Sequence, residues 1–196
     1  MFILLRPLPI KSFKPDPIPR EVIEKIVEAG RFAPTALNLQ PWKFIIIDDK
    51  PFIEELFRVV KDRLTRLYAL IPILKFFSRD LRDERVANAI KKTAESGEDT
   101  VFHNAPLLVF VANDKRCHDS LADCCLAAQN MMLAAHSLGI GSCYIGRAKI
   151  IPVPFLLKKF NLPAFYDIKV HLAFGYAKGP LRTPPPRKDD AILWVK

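Results

Sequence analysis

The chain has 196 residues, of which 50% are apolar and 26% are charged, a composition typical of one folded domain. Its formal net charge of +9 favours acidic partners, among them the phosphates of a nucleotide cofactor. The basic residues are interleaved with acidic and apolar residues, without the long basic block of a nucleic-acid-binding tail. We therefore do not expect nucleic acid as a partner.

The apolar stretches do not have the pattern of a membrane or export signal. Residues 1–5 are apolar, but Arg6 and Pro7 end the run well short of a signal peptide. Residues 67–77 include a proline and a lysine and are fewer than the about 20 residues that span a bilayer. The four cysteines have the pattern of buried thiols in a reducing compartment. We expect a cytoplasmic protein with no membrane partner.

The first predicted helix begins after Pro19 and carries apolar residues at helical spacing to about Ala33. Pro34 then stops it. Residues 42–47 are rich in aromatic and β-branched side chains and end at two aspartates, which predicts a buried strand.

A second helical region follows from about Pro51. The pattern over residues 52–94 is mostly helical, with one break expected at residues 71–72 and another near residues 78–80.

The second half of the chain alternates strands and helices. Residues 106–112 form a continuous apolar run that predicts a strand covered on both faces. Residues 121–138 predict a helix that is apolar almost all round, which is typical of a core or a subunit interface, and Gly139 and Gly141 end it. The remaining predicted elements are a short helix over residues 154–160, a third strand over residues 168–174 and an irregular proline-rich arm over residues 179–187.

Strands separated by long helical stretches indicate an α+β or α/β domain. No internal repeat or Gly/Ser-rich linker divides the chain, so we expect a single domain over residues 1–196.

The loop of residues 33–42, APTALNLQPW, carries the clearest functional signal. It presents Thr35, Asn38 and Gln40 from a segment that two prolines stiffen. Short polar side chains on a stiff loop suit a flat heteroaromatic ligand with polar edges. The alternative is a plain surface turn in which Asn38 hydrogen-bonds its own backbone.

The longer string APTALNLQPWKFIIIDD resembles the FMN-binding loop of the nitroreductase family, in which a helix ending in Ala-Pro-Ser/Thr precedes Asn, Gln-Pro-Trp and an apolar strand. Three further segments are similar to the family in order and spacing. They are residues 11–13 with the helix that follows, residues 126–146 (LAAQNMMLAAHSLGIGSCYIG) and residues 172–187 (LAFGYAKGPLRTPPPR).

The resemblance implies an α+β nitroreductase-like fold, with a central, mostly antiparallel sheet flanked by helices. It also implies a homodimer whose active sites are shared between the two subunits. Pro34, Thr35 and Asn38 match positions that contact the flavin from the neighbouring subunit, and Gln40 belongs to the same motif.

The same resemblance assigns residues to three parts of FMN. Lys11 matches the basic residue near flavin N1 and the C2 carbonyl, where a cation stabilises the negative charge of the reduced ring. Arg187 matches the arm residue that binds the phosphate, which a guanidinium contacts through two donors. Ile145 and Gly146 match the turn that places backbone groups near flavin N5.

One segment departs from the family pattern. The family opens with Arg-x-Ser-x-Arg/Lys, whose Arg and Ser bind the phosphate, whereas Pro7 and Pro9 stand at those two places here. Proline donates no hydrogen bond, so we expect a phosphate site that is either weaker or differently built. Arg6, one residue earlier, is the candidate substitute.

The cysteines and histidines are weighed as structural residues. Cys124 and Cys125 are adjacent on a predicted helix and point in different directions, and no C-x-x-C pair exists, so we expect no metal site. His103 and Asn104 are expected in a turn, with the flavin's pyrimidine edge as an alternative. His136 and His171 lie in apolar patterns and are expected as satisfied core histidines.

The expected function is that of an FMN-dependent oxidoreductase. NADH or NADPH would give a hydride to flavin N5, which would pass it to a small electron acceptor such as a nitroaromatic or a quinone. The alternative is a flavin- or nucleotide-binding sensor or carrier without turnover, which the two prolines at the phosphate end motivate.

Overall fold

Four strands form one sheet in the computed structural model, which describes residues 8–180, 183 and 185–195. In chain order they are β1 (Trp42–Ile47), β2 (Leu107–Asp114), β3 (Gly141–Tyr144) and β4 (Tyr166–Gly175). In space the order is β1, β2, β4, β3, and each neighbouring pair is antiparallel. The predicted antiparallel α+β fold is confirmed.

Helices cover both faces of this sheet, which is why every residue of β2 is buried. The helices are α1 (Arg20–Arg31), α2 (Lys50–Leu74), α3 (Arg79–Arg82), α4 (Glu84–Glu95), α5 (Ser120–Ser137) and α6 (Val153–Lys159). The side chains of β2 alternate between two apolar clusters, one with α2, α4 and α6 and the other with α1 and α5. Within the described part of the chain, no helix is both long and apolar enough to cross a membrane.

The predicted break at residues 71–72 is wrong, because α2 continues through Pro72 to Leu74. Pro72 removes one backbone donor to the carbonyl four residues earlier, and the helix ends two residues after it. The second predicted break is confirmed, since the Ser78 hydroxyl caps α3 by accepting from the Leu81 N–H at 3.4 Å.

β3 lies where the sequence predicted only a glycine-rich turn. Gly139, with φ of +75°, ends α5 in the left-handed conformation, and the chain enters β3 two residues later. A Cβ on Gly141 would lie 2.7 Å from Ile10 Cγ1, because residues 8–10 run alongside this edge strand. The glycine therefore allows the N-terminal segment to pack against the sheet.

α5 packs one face on the sheet and leaves the opposite face exposed. Cys124 and Met131 are buried, and α1 approaches so closely that a Cβ on Gly30 would lie 2.8 Å from Met131 Cγ. On the outer face, Leu121 is 42% and Leu126 is 47% exposed. The all-round apolar character of the helix thus leaves an unpartnered apolar face, which we call the α5 outer face.

His171 is buried as predicted, but it is not a satisfied histidine. It lies on β4 with its ring centroid 4.5 Å from that of Phe110, in an edge-to-face contact. Neither ring nitrogen has a hydrogen-bond partner among the described residues. Burial, with a smaller effect of Lys149, lowers the pKa of His171 to about 3, so the ring is neutral in the folded chain.

The buried His171 predicts that the protein loses stability in mild acid. The folded pKa lies below the ordinary value of 6.5, so the stabilisation is complete above that value and is lost as the pH falls towards 3. Between pH 6 and pH 4 this residue should lower the free energy of unfolding by about 1.4 kcal/mol per pH unit. Denaturant titrations across this range should show a flatter dependence in His171→Leu. The exposed His118→Gln is the control, and an unchanged slope in His171→Leu would contradict the assignment.

Candidate functional site

A cavity of about 390 Å³ lies between the N-terminal segment and the chain that follows β4. Its charged lining residues are all basic, and two hydroxyl side chains accompany them. No acidic side chain contributes to the lining from the described residues. A concave surface with this lining attracts anions. The basic and hydroxyl residues are Lys11, Lys178, Arg187, Ser12 and Thr183.

Backbone hydrogen bonds fix both walls of this cavity. The Ile10 N–H donates to the Ser142 carbonyl of β3 at 2.9 Å, and Pro9 lies beside the same residue in a parallel bridge. On the other side, the Lys178 N–H donates to the Ser12 carbonyl at 3.0 Å. The N-terminal segment is therefore held at one edge by the sheet and at the other by the arm.

Further cations lie around His103. Its backbone is left-handed, with φ of +62°, and its carbonyl accepts the Phe13 N–H at 3.3 Å. Burial lowers the pKa of His103 to about 4, and the nearby charges of Arg147, Lys11 and Lys92 lower it in the same direction. His103 is thus a neutral residue in a positive region, and the predicted turn is confirmed.

Arg147 is half-buried, and its guanidinium donates to neutral acceptors. It donates to the Thr93 hydroxyl at 2.7 Å, to the Ala89 carbonyl at 3.3 Å and to the Thr100 carbonyl. Desolvation lowers the pKa of Arg147. These bonds join α4 and the segment after it to the 3₁₀ turn Gly146–Ile150.

The loop of residues 33–42 holds three non-glycine residues in the left-handed region. The φ angles are +52° at Leu37, +55° at Asn38 and +46° at Gln40. The Gln40 N–H donates to the Thr35 hydroxyl at 3.3 Å, and the Gln40 side-chain amide donates to Asn38 Oδ1 at 3.2 Å. Such strain concentrates at functional sites. Residues 37–40 of the loop face solvent, and the loop contributes no residue to the cavity lining.

Ile145 and Gly146 lie at the end of β3. Ile145 is buried, and its N–H donates to the His171 carbonyl at 2.8 Å, so this donor is already used. Gly146 is exposed, and a Cβ added to it would meet no described heavy atom within 4 Å. Of the two residues, Gly146 is the one whose backbone faces open space.

The family assignment follows from a sequence comparison. The model of a family described as Nitroreductase family matches residues 10–176. The chain belongs to the nitroreductase family. Its recognition from the loop of residues 33–42 and the three other segments is therefore confirmed.

Relatives of this nitroreductase-family chain agree over nearly its full length. One from Bacillus subtilis (strain 168), named "Putative NAD(P)H nitroreductase YfkO", is 26% identical over 192 residues, covering 88% of this chain and 86% of its own. A nitroreductase from Bacteroides fragilis with bound FMN has a TM-score of 0.77 at 24% identity, covering 99% of this chain and 97% of that chain. An iodotyrosine deiodinase bound to FMN and 3-iodo-L-tyrosine has the same TM-score at 22% identity, with 99% and 97% covered.

The structure brings together some of the predicted site residues of this nitroreductase-family chain. Lys11 and Arg187 line one cavity, and Pro9 forms part of its wall. Arg6 and Pro7 lie outside the described residues. The predicted residues that the cavity does not include are Pro34, Thr35, Asn38, Gln40, Ile145 and Gly146.

Sequence reasoning missed the three polar lining residues Lys178, Ser12 and Thr183. Lys178 follows the Gly-Tyr corner and precedes Gly179, so a basic residue at a turn was the available signal. Ser12 directly follows Lys11 and carries no distinguishing pattern of its own.

The prediction of four buried thiols is wrong for Cys125, which is exposed. Cys124 and Cys143 are buried, and Cys117 is intermediate. Burial raises the pKa of Cys124 to about 12, so this thiol remains protonated. The described residues include no group of three or more His, Cys, Asp or Glu that could hold a metal ion.

Removing the Arg147 guanidinium should destabilise the fold. In Arg147→Met the carbonyls of Ala89 and Thr100 lose their side-chain donor, which should lower the free energy of unfolding by about 1–3 kcal/mol. Urea denaturation followed by circular dichroism measures the change. The matched control is Lys149→Met, an exposed cation two residues along the chain, with an expected change below about 0.5 kcal/mol. Equal losses in both variants would contradict this role of Arg147.

Proposed function

We propose that this protein is an FMN-dependent oxidoreductase that takes a hydride from NADH or NADPH and delivers it to a small electron acceptor, such as a nitroaromatic or a quinone. The main support for the proposal is the basic cavity that Lys11 and Arg187 both line, in a chain of the nitroreductase family. The Bacteroides fragilis nitroreductase, with the same fold, has bound FMN, and the Bacillus subtilis relative is named for NAD(P)H.

The donor set of the cavity fits FMN. A phosphate monoester is a strong anion with three acceptor oxygens, and the cavity offers ammonium, guanidinium and hydroxyl donors without an acidic lining residue among those described. Its volume of about 390 Å³ is within the range of small-molecule sites. When bound, FMN supplies the hydride chemistry at N5.

Two residues, Lys11 and His103, would assist the flavin ring. Lys11 would hold positive charge at the edge that becomes negative on reduction, and a fixed ammonium there needs no reorganisation during the reaction. The neutral His103 would keep a polar, uncharged ring beside that lysine. No described residue is required as an acid or base at N5, because the nicotinamide delivers a hydride directly.

We further propose a homodimer in which the loop of residues 33–42 reaches the cofactor of the neighbouring subunit. Two features support it. The loop holds three strained residues although it contributes nothing to the cavity of its own chain. The α5 outer face leaves the apolar side chains of Leu121 and Leu126 exposed, as an uncovered subunit interface does.

The redox proposal predicts a yellow protein that bleaches with reduced nicotinamide. Purified protein with bound FMN should show the visible absorption of an oxidised flavin. NADH or NADPH under anaerobic conditions should abolish that absorption. Addition of a quinone or nitroaromatic should then restore it. A protein that binds FMN but is not reduced would favour the sensor or carrier alternative. Failure to take up FMN would overturn both.

The dimer proposal predicts that a charge on the α5 outer face separates the subunits. Leu126→Glu should shift the protein from dimer to monomer in light scattering and release bound FMN, because burial of the carboxylate at an interface is unfavourable. Ile73→Glu on α2, where the wild-type side chain is 62% exposed, is the control and should stay dimeric. A wild-type monomer with firmly bound FMN would contradict the shared site.

A further inference from the structure

We propose that Lys178 binds the phosphate of the cofactor. The site thereby selects FMN over riboflavin, the flavin that lacks the phosphate. The inference rests on the proposed function and assigns a specificity role to a residue of the same cavity. Three cationic residues line this cavity, namely Lys11, Lys178 and Arg187.

The charge of the phosphate requires more than one cation. A phosphate monoester carries about −1.5 to −2 charges at pH 7. The flavin ring and the phosphate are at opposite ends of FMN, separated by the ribityl chain, so a lysine placed at the ring cannot also neutralise the phosphate. With Lys11 near the ring, Arg187 alone would leave about one negative charge uncompensated. Lys178 is the remaining cation among the described lining residues.

The backbone holds Lys178 in a fixed place on the cavity wall. Its N–H donates to the Ser12 carbonyl at 3.0 Å, and the preceding Ala177 pairs with Phe13 in an antiparallel bridge. Gly179 follows with φ of +91°, and the chain turns there into Pro180. The lysine thus projects from a hydrogen-bonded segment that ends in a tight turn.

Neighbouring side chains suit the same anion. Ser12 and Thr183 add hydroxyl donors to the lining, and Pro180 and Pro185 stiffen the arm around it. Pro9, in the opposite wall, has no donor of its own. On this proposal the chain after β4 supplies phosphate donors that Pro9 cannot.

Comparison of two flavins isolates the phosphate contribution. Apoprotein is titrated with FMN and, separately, with riboflavin, and binding is followed by quenching of flavin fluorescence. Lys178→Gln should weaken FMN binding about tenfold or more, which is the loss of about 1.4 kcal/mol expected from one charge-assisted hydrogen bond. Riboflavin binding should stay within about twofold, since riboflavin has no phosphate. Lys178→Arg, which keeps the charge, should retain most of the FMN affinity.

Lys14→Gln is the matched control. Lys14 is also exposed and belongs to the same paired segment, where its N–H donates to the Tyr176 carbonyl at 2.8 Å, but it does not line the cavity. FMN affinity should be unchanged in this variant. Thermal unfolding of each apoprotein checks that the folds are equally stable.

The outcomes separate this inference from the proposed function. If wild type binds FMN and Lys178→Gln binds it equally well, the role of Lys178 is overturned while the oxidoreductase proposal stands. Equal weakening of FMN and riboflavin would also overturn it, because a phosphate contact affects FMN alone. If wild type binds neither flavin, the proposed function itself fails, and the inference fails with it.

Discussion

Two backbone hydrogen bonds hold the N-terminal segment between the edge of the sheet and the arm, and the candidate site depends on them. The Ile10 N–H donates to Ser142 on β3, and the Lys178 N–H donates to Ser12. A chain end without such bonds would be poorly ordered. Because both sides are fixed, Lys11 becomes part of a wall rather than of a free terminus. Because Gly141 has no side chain, the N-terminal segment can pack closely against β3.

Positive charge is kept available in this part of the molecule. The Arg147 guanidinium donates to a hydroxyl and two carbonyls, which satisfy its donors without cancelling its charge. Asp99, whose charge acts on Arg147, accepts three backbone N–H groups. His103 stays neutral because its burial, and to a smaller degree the surrounding cations, lower its pKa. The polar groups are satisfied locally, and the net field remains able to attract an anion.

Much of the fold could be predicted because its signals are local. β1 was predicted with its observed bounds from a run of β-branched and aromatic side chains. β3 could not be predicted from the sequence, because its four residues of mixed character form a strand only when β4 lies beside them. The same distinction applies to the site. Lys11 and Arg187 belong to linear motifs, whereas the position of Lys178 depends on pairing with Ser12, a residue more than 160 positions away in the chain.

The loop of residues 33–42 has a consequence for how a ligand would be recognised. Leu37 and Gln40 adopt backbone conformations that glycine adopts without strain, so folding alone would favour glycine there. Two hydrogen bonds hold this arrangement, from Gln40 to the Thr35 hydroxyl and to Asn38 Oδ1. A loop held in this way has little conformational entropy to lose when it binds a ligand. The left-handed residues of the loop thus cost some folding stability, and in return the polar side chains are held in a fixed arrangement.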